Sequence, residues 1–254
     1  RQYRRRFPLR LRGCGGQRGA PKDAVKFSYA SSFGVAKIPA MAVEYFKQGL
    51  QNINPISVRE KTAIDIVKTT IGKEAVAVAD PTLLLDAYEW SKVLNDSMVP
   101  QEKYILLYVL KEAPYITETA LRMAKEKNLK VVRICRGAYR QDPRNSLIQN
   151  VMDAGPAEFL ALFKNATMVM TNSFHGTVFS IQFNKDFYTI VSRSTDNNSR
   201  QIDLLSTLGI DRIKYTDTQF SEESPIEWDI VNKRVEAYRL GSINYLQKVI
   251  NDGE

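Results

Sequence analysis

The feature that most constrains the fold of this chain is a regular alternation of short apolar runs with amphipathic stretches, beginning at Val25. The apolar runs have the length of strands, and in the stretches between them apolar residues recur every three or four positions, as they do in helices. Strands that alternate with helices in this way are typical of βα units built on a parallel sheet. The sequence therefore predicts the α/β fold class.

The alternation falls into two blocks, separated by a polar connection that ends near residue 97. The predicted elements of the first block are strands 24–33, 55–60 and 75–80 and helices 39–50 and 60–72. Those of the second block are strands 104–111, 129–135, 167–171 and 186–192 and helices 117–128, 155–166, 175–183 and 199–209. The sequence thus predicts a first domain over 24–97, a second over 98–224, and a C-terminal helical segment over 225–254 that Gly241 and Ser242 kink.

The formal charge of +8 is concentrated at one end of the chain. Residues 1–22 carry seven Arg and one Lys and no acid, whereas the rest of the chain has 28 basic and 28 acidic residues. A basic arm can bind nucleic acid or anionic lipid. Because the body is neutral and the arm is rich in Gly and Arg, we interpret residues 1–23 as a poorly ordered leader and expect no nucleic-acid partner.

The stretch MVMTNSFHGTVFSIQF holds His175, the single histidine of the chain, where a predicted strand passes into a predicted helix. In an open parallel sheet, ligands bind beyond the carboxyl ends of the strands, and a helix N-terminus there attracts anions. The small and polar residues of this turn, Asn172, Ser173 and Gly176, would let a phosphate or carboxylate approach the backbone. His175 can deliver a proton near neutral pH, although a lone histidine is also commonly a capping or packing residue.

Other candidate residues follow predicted strands in the same way. Arg59 can bind a carboxylate or phosphate with its planar fork, or it can pair with Glu60 or Asp65 on the helix surface. Ser31 and Ser32 can donate hydrogen bonds to an anion, although serine in a loop is often only a turn former. Arg200 adjoins a polar loop, where arginines are mostly solvated.

Several segments together resemble the polysaccharide pyruvyl transferase family of bacterial surface-glycan enzymes. They occur in the family's order: SYASSFG, ISVREKTAIDIV, ADPTLLLDAYEW, YILLYVL, GPAEFLALFKNATMVMTNSFHGTVFSIQFNKDFYTI and SRQIDLLSTLGI. TNSFHGTVFSI is the most specific of them, and the resemblance covers roughly residues 24–215. It implies two Rossmann-like parallel-sheet domains facing a cleft, as in GT-B glycosyltransferases, with the first domain incomplete because the family's opening strands find no counterpart before SYASSFG.

The resemblance also implies a reaction, the transfer of the enolpyruvyl unit of phosphoenolpyruvate onto sugar hydroxyls as a ketal, with release of phosphate. His175 matches the family's active-site histidine, Phe174 its neighbour whose backbone faces the donor, and Arg59 the arginine that holds donor charge. We expect His175 and Arg59 to be catalytic. The predicted substrate-binding residues are Thr171, Asn172, Ser173, Phe174, Gly176, Ser31, Ser32 and Arg200.

The expected partners are phosphoenolpyruvate and a glycan acceptor, with no metal and no cofactor beyond the donor substrate. The expected location is the cytoplasm, including peripheral contact with a lipid-linked glycan at the membrane. Two other hypotheses remain open. One is a GT-B-like glycosyltransferase with a nucleotide-sugar donor, and the other is a non-catalytic, truncated relative that binds anions.

Overall fold

The computed structural model describes residues 26–35, 37–110, 114–135, 146–193, 198–215 and 223–251. The segment interpreted as a leader, 1–23, lies outside the described residues. The chain divides into two compact units, the first formed by residues up to Asp80 together with 240–254, and the second by Pro81–Arg239. We call them unit 1 and unit 2.

Unit 1 is built on a parallel sheet of three strands in the order β1-β2-β3. Its elements are β1 (Ser28–Ser31), α1 (Val43–Leu50), β2 (Ile56–Val58), α2 (Lys61–Ile71) and β3 (Val76–Ala77). α1 follows a turn of 3-10 helix at Ala40–Ala42, and α2 ends at Gly72, whose φ of 69° is readily adopted only by glycine. The apolar faces of both helices pack against β2, so the core lies on that side of the sheet.

Unit 2 is built on a parallel sheet of six strands in the order β6-β5-β4-β7-β8-β9. The strands are β4 (Tyr104–Tyr108), β5 (Lys130–Ile134), β6 (Gln149–Val151), β7 (Met168–Thr171), β8 (Asp186–Val191) and β9 (Ile213–Tyr215). The helices are α3 (Ala87–Ser91), α4 (Pro114–Lys127), α5 (Pro156–Asn165), α6 (Phe174–Gln182) and α7 (Ser199–Leu208). Parallel strands covered by helices on both faces read as continuous apolar runs, and β4 and β7 are accordingly buried along nearly their whole length.

The strand order of unit 2, counted from β4, is 3-2-1-4-5-6, which is the order of a Rossmann fold. In such a sheet the direction of winding reverses between the first and fourth strands, and the carboxyl ends of those strands frame a crevice. Here the two strands are β4 and β7, paired in register from Ile105 with Met168 to Tyr108 with Thr171. The predicted α/β class, with two parallel-sheet units, is confirmed.

Two strands were missing from the sequence prediction, β6 and β9. Each has three residues and lies at an edge of the six-stranded sheet, where side chains are only partly buried. Their sequences, QNV and IKY, therefore contain no apolar run.

The connection over 81–97 packs within unit 2. Gln182 of α6 donates from Nε2 to the carbonyl oxygens of Thr82 and Leu85, at 2.9 and 2.6 Å. The Trp90 ring meets Phe179 edge-on with centroids 5.4 Å apart. The boundary of the compact unit thus falls at Asp80 instead of residue 97, because contacts made by polar and aromatic side chains along the connection are invisible to a periodicity argument.

The C-terminal segment forms one helix, α8 (Trp228–Asn251), which runs through Gly241 without a break. The predicted kink at Gly241 and Ser242 stays a prediction. Its residues divide between the two units. In unit 2, Arg239 donates from Nε to the Leu83 carbonyl oxygen at 2.7 Å. In unit 1, the hydroxyl of Ser242 accepts a 2.8 Å hydrogen bond from the Ala79 backbone N–H.

Candidate functional site

Thr171 ends β7 at the crevice of unit 2 and is fully buried. Its Oγ1 donates to the carbonyl oxygen of Tyr108 on β4 at 2.6 Å and accepts from the Ser173 N–H at 3.0 Å. One side chain therefore joins the ends of the two strands that frame the crevice and shapes the turn into α6.

Ser173 is the N-cap of α6, and its Oγ accepts from the Gly176 N–H at 3.3 Å. Serine favours this position because a helix leaves its first N–H groups without acceptors inside the helix. The aligned peptide dipoles give the first turn a partial positive charge. The carboxyl end of β7 thus meets a helix terminus suited to a phosphate or carboxylate.

Gly176 is buried in the first turn of α6. A Cβ built on it would lie 2.9 Å from the Cβ of Thr171 and still closer to the Thr171 hydroxyl. The structure thus gives the glycine a packing reason, the close approach of α6 to the end of β7. Its predicted contact with substrate stays a prediction.

Phe174 and His175 begin α6 and point to different surroundings. Phe174 is buried, whereas His175 is exposed, and their rings meet edge-on with centroids 5.4 Å apart. The single histidine of the chain therefore lies at the solvent side of a helix N-terminus, where its imidazole can exchange protons with a bound molecule.

Arg200 and Gln201, in the first turn of α7, contact the β7–α6 turn. The Arg200 guanidinium lies over the Phe174 ring, 5.9 Å from its centroid. Gln201 donates from Nε2 to the carbonyl oxygen of Asn172 at 3.3 Å, and Oδ1 of Asn172 accepts from the Leu110 N–H at 2.8 Å. Asn172 thus links the loop after β4, the β7–α6 turn and α7.

Gln201 is absent from the predicted site residues, although the sequence carries a signal for it. It lies three, four and seven positions before the buried residues Leu204, Leu205 and Leu208, so it shares their face of α7. A polar residue on the apolar face of an amphipathic helix next to a predicted site marks a side chain with a specific partner.

Arg59, Glu60 and Asp80 form a charged cluster in unit 1. Arg59 follows β2 and donates from Nη1 to Oδ2 of Asp80 at 2.6 Å, while its Nε lies 4.0 Å from Glu60 Oε2. The Arg59 side chain is 17% exposed, and both carboxylates are buried. The guanidinium charge is therefore shared with two carboxylates of its own unit. The ion pair with Glu60 that the sequence left open is present, but its nitrogen–oxygen distance of 4.0 Å is longer than the 2.6 Å to Asp80.

The loop after β1 surrounds the Glu60 carboxylate. Oε1 of Glu60 accepts from the Ser32 hydroxyl at 2.9 Å, the Phe33 N–H at 2.9 Å and the Gly34 N–H at 3.3 Å. The loop binds an anion, as its composition suggested, but this anion belongs to the protein. Ser31 contributes its carbonyl oxygen, which accepts from the Arg59 N–H at 3.1 Å. Substrate contacts by Ser31 and Ser32 stay predictions.

Tyr29 extends the same cluster. Its hydroxyl donates to the Ala79 carbonyl oxygen at 2.9 Å. Burial raises the pKa of Tyr29 to about 12; a hydrogen bond with Ser242 acts against this shift, and the negative charge of Asp80 adds to it. Tyr29 is therefore a neutral donor throughout the physiological pH range.

The predicted site residues thus fall into two groups. Thr171, Asn172, Ser173, Phe174, His175, Gly176 and Arg200 come together in unit 2, and Ser31, Ser32 and Arg59 come together in unit 1. The unit 2 group combines a helix N-terminus, an arginine and an exposed imidazole, which together can hold an anion and move a proton. In the described part of the chain, His, Cys, Asp and Glu form no group of three or more suited to a metal ion.

None of the helices in the described segments is long and apolar enough to cross a membrane.

A family model described as polysaccharide pyruvyl transferase matches residues 5–194. The match begins within the Arg-rich segment and runs past the β7–α6 turn and beyond the end of β8. A search of curated proteins found no match.

The chain is similar to several solved structures at low sequence identity. MurG of Acinetobacter baumannii is 9% identical over 86% of this chain and 65% of its own, with a TM-score of 0.49. The UDP-GlcNAc 2-epimerase of Methanocaldococcus jannaschii is 13% identical over 76% of this chain and 56% of its own, with a TM-score of 0.43. The wall teichoic acid polymerase TagF is 10% identical over 90% of this chain and 66% of its own, with a TM-score of 0.45. The chain spans less than two thirds of the first two structures.

Proposed function

This chain belongs to the polysaccharide pyruvyl transferase family, and on that premise we propose that it transfers the enolpyruvyl unit of phosphoenolpyruvate to sugar hydroxyls of a surface polysaccharide precursor. The product is a pyruvate ketal that bridges two hydroxyls, and inorganic phosphate is released. We further propose that the reaction takes place in the cytoplasm, on a free or lipid-linked precursor.

The observation that carries this proposal is the exposed His175 in the first turn of α6, at the crevice between β4 and β7. Phosphoenolpyruvate is a small molecule with two anionic groups, a carboxylate and a phosphate. A helix N-terminus offers N–H groups and a positive dipole end to one of them. Arg200, whose guanidinium lies over Phe174 of the same turn, offers a permanent positive charge to the other.

The reaction needs a proton donor, and His175 suits this role. The imidazolium protonates the methylene carbon, and the electron pair of the double bond forms the new carbon–hydrogen bond. The methylene thus becomes a methyl group, and the neighbouring carbon is left electron-deficient and stabilised by its oxygen substituent. A sugar hydroxyl adds to that carbon and loses its proton. The carbon–oxygen bond to phosphate then breaks, and a second hydroxyl adds at the same carbon, again losing a proton, to close the ketal.

Imidazole is well matched to this cycle because it gives up a proton in the first step and can take one back from an attacking hydroxyl. The first turn of α6 also favours the anionic leaving group, since phosphate carries away the electron pair of the bond that breaks. Arg59 stays assigned to donor charge by the family resemblance, whereas the residues around His175 all belong to unit 2.

The test is the variant His175→Gln, which keeps a hydrogen-bonding side chain of similar size but cannot exchange a proton near neutral pH. With phosphoenolpyruvate and a panel of synthetic or lipid-linked glycosides, we expect wild-type protein to release phosphate. The mass of the glycoside product should increase by that of the pyruvyl group. His175→Gln should lower kcat by about 100-fold or more, the usual contribution of a general acid, while phosphoenolpyruvate still binds in calorimetry.

Three results would contradict the proposal. Full transfer by His175→Gln would remove the role of His175. Thermal stabilisation by UDP or GDP but not by phosphoenolpyruvate would favour a nucleotide-sugar glycosyltransferase. Tight binding of phosphoenolpyruvate by the wild-type protein without turnover on any acceptor would indicate a non-catalytic anion-binding protein.

A further inference from the structure

Gln201 is a buried polar residue in the first turn of α7, with 4% of its surface exposed. The single hydrogen bond of its side chain among the described residues runs from Nε2 to the carbonyl oxygen of Asn172, at 3.3 Å. Because a carbonyl oxygen only accepts, the nitrogen of the amide must face Asn172, and this fixes the orientation of the side chain.

The oxygen of the Gln201 side-chain amide, Oε1, is in a different situation. Among the residues that the structure describes, Oε1 is buried and has no hydrogen-bond partner. A buried acceptor without a donor opposes folding and offsets what one hydrogen bond contributes. Methionine has a similar length and would leave no such oxygen. Gln201 is therefore a poor choice for stability alone.

Gln182 is a buried glutamine whose hydrogen bonds serve the structure of unit 2, and it provides a comparison for Gln201. It lies in the same unit, and its Nε2 donates to the carbonyl oxygens of Thr82 and Leu85 at 2.9 and 2.6 Å. Its Oε1 accepts from Nη2 of Arg239 at 3.5 Å. Both ends of this amide are paired, so its replacement removes hydrogen bonds to Thr82, Leu85 and Arg239 together.

We infer that Gln201 is a positioning residue of the transfer site. By holding the Asn172 carbonyl it fixes the β7–α6 turn against the first turn of α7. It thereby fixes the distance between His175 and Arg200, the residue that directly precedes Gln201 in the sequence. Binding of a substrate with two anionic groups depends on the distance between the helix N-terminus and the arginine that hold them, and small displacements weaken it strongly. This inference rests on the proposed function, because it assumes that the turn binds phosphoenolpyruvate.

The experiment compares Gln201→Met with the matched control Gln182→Met in the full chain. For Gln201→Met we expect a melting temperature within about 2 °C of wild type and a KM for phosphoenolpyruvate raised about tenfold, with kcat lowered less than threefold. For Gln182→Met we expect a melting temperature lower by about 5 °C or more and a wild-type KM at temperatures where the protein is folded.

Several outcomes would overturn the inference. A Gln201→Met variant with wild-type KM shows that the contact does not position the site, and one that melts far below wild type shows a structural role. An equal rise in KM in both variants shows a general loss of order. If wild-type protein binds no phosphoenolpyruvate in calorimetry, the proposed function fails and takes this inference with it; if wild type binds and turns over, only the inference is at stake.

Discussion

At the residue scale, the contact between Thr171 and Gly176 decides how the candidate site is built. Thr171 uses its hydroxyl twice, as a donor to Tyr108 and as an acceptor from Ser173. It cannot rotate away from Gly176 without giving up both hydrogen bonds. The glycine therefore allows α6 to start directly above the end of β7, where its N-terminus faces the crevice.

Gly176→Ala should lower the free energy of unfolding by about 1–3 kcal/mol, because the added methyl group overpacks against Thr171. Gly241→Ala is the matched control. Gly241 lies inside α8, and a methyl group added there would have no atom within 4 Å, so alanine should stabilise by roughly 0.5–1 kcal/mol. Urea unfolding measures both. Equal effects of the two substitutions would show that the Thr171 contact is unimportant.

At the element scale, the site depends on a junction of three segments at Asn172. The side chain accepts from the N–H of Leu110 after β4, and the backbone carbonyl accepts from Gln201 of α7. β7 and α6 contribute the turn itself. Since these segments are distant in sequence, the junction is what holds the helix N-terminus in place over the crevice.

Asn172→Asp tests whether this junction also binds an anion. The aspartate has the same shape, keeps an acceptor for the Leu110 N–H, and is favoured by the positive end of α6, so stability should change by less than about 0.5 kcal/mol. Its negative charge should repel phosphoenolpyruvate and raise KM ~10-fold or more, an effect that added salt reduces.

Asn172→Ala serves as the comparison, because it removes the acceptor without adding charge. It should cost about 1 kcal/mol of stability and raise KM less than the aspartate does. Steady-state kinetics at two salt concentrations, with urea unfolding of each variant, test these expectations. An Asn172→Asp variant with wild-type KM would argue against anion binding at this turn.

At the scale of the whole molecule, the chain forms two units, and α8 supplies residues to both. Ser242 belongs to the portion within unit 1, where it is buried and accepts from the Ala79 N–H beyond β3. The last part of the helix is therefore part of the core of unit 1 and contributes to its stability.

Ser242→Ala should destabilise unit 1 by about 1–3 kcal/mol, because the buried Ala79 N–H loses its acceptor. Hydrogen exchange followed by mass spectrometry should show faster exchange in peptides from 26–80 and unchanged exchange in peptides from 81–239. Asn244→Ala, two positions further along the helix at an exposed site, is the control and should change neither. Uniformly faster exchange over both units would show that they do not respond separately.

Sequence patterns alone predict the α/β class, most strands and helices, and the place of His175 between a strand and a helix. These features follow from local periodicity, because the burial of each side chain is set mainly by the element that carries it. The short edge strands β6 and β9 were not predicted, because their partly exposed side chains form no apolar run.

Three features became visible only in the three-dimensional structure. They are the strand order that places β4 beside β7, the Thr171 bond to Tyr108 across 63 residues, and the roles of Glu60 and Gln201. Each of these depends on pairing between segments far apart in sequence. Such pairing is selected by the packing of the whole sheet and the satisfaction of buried polar groups, and neither is encoded in the pattern of any one segment.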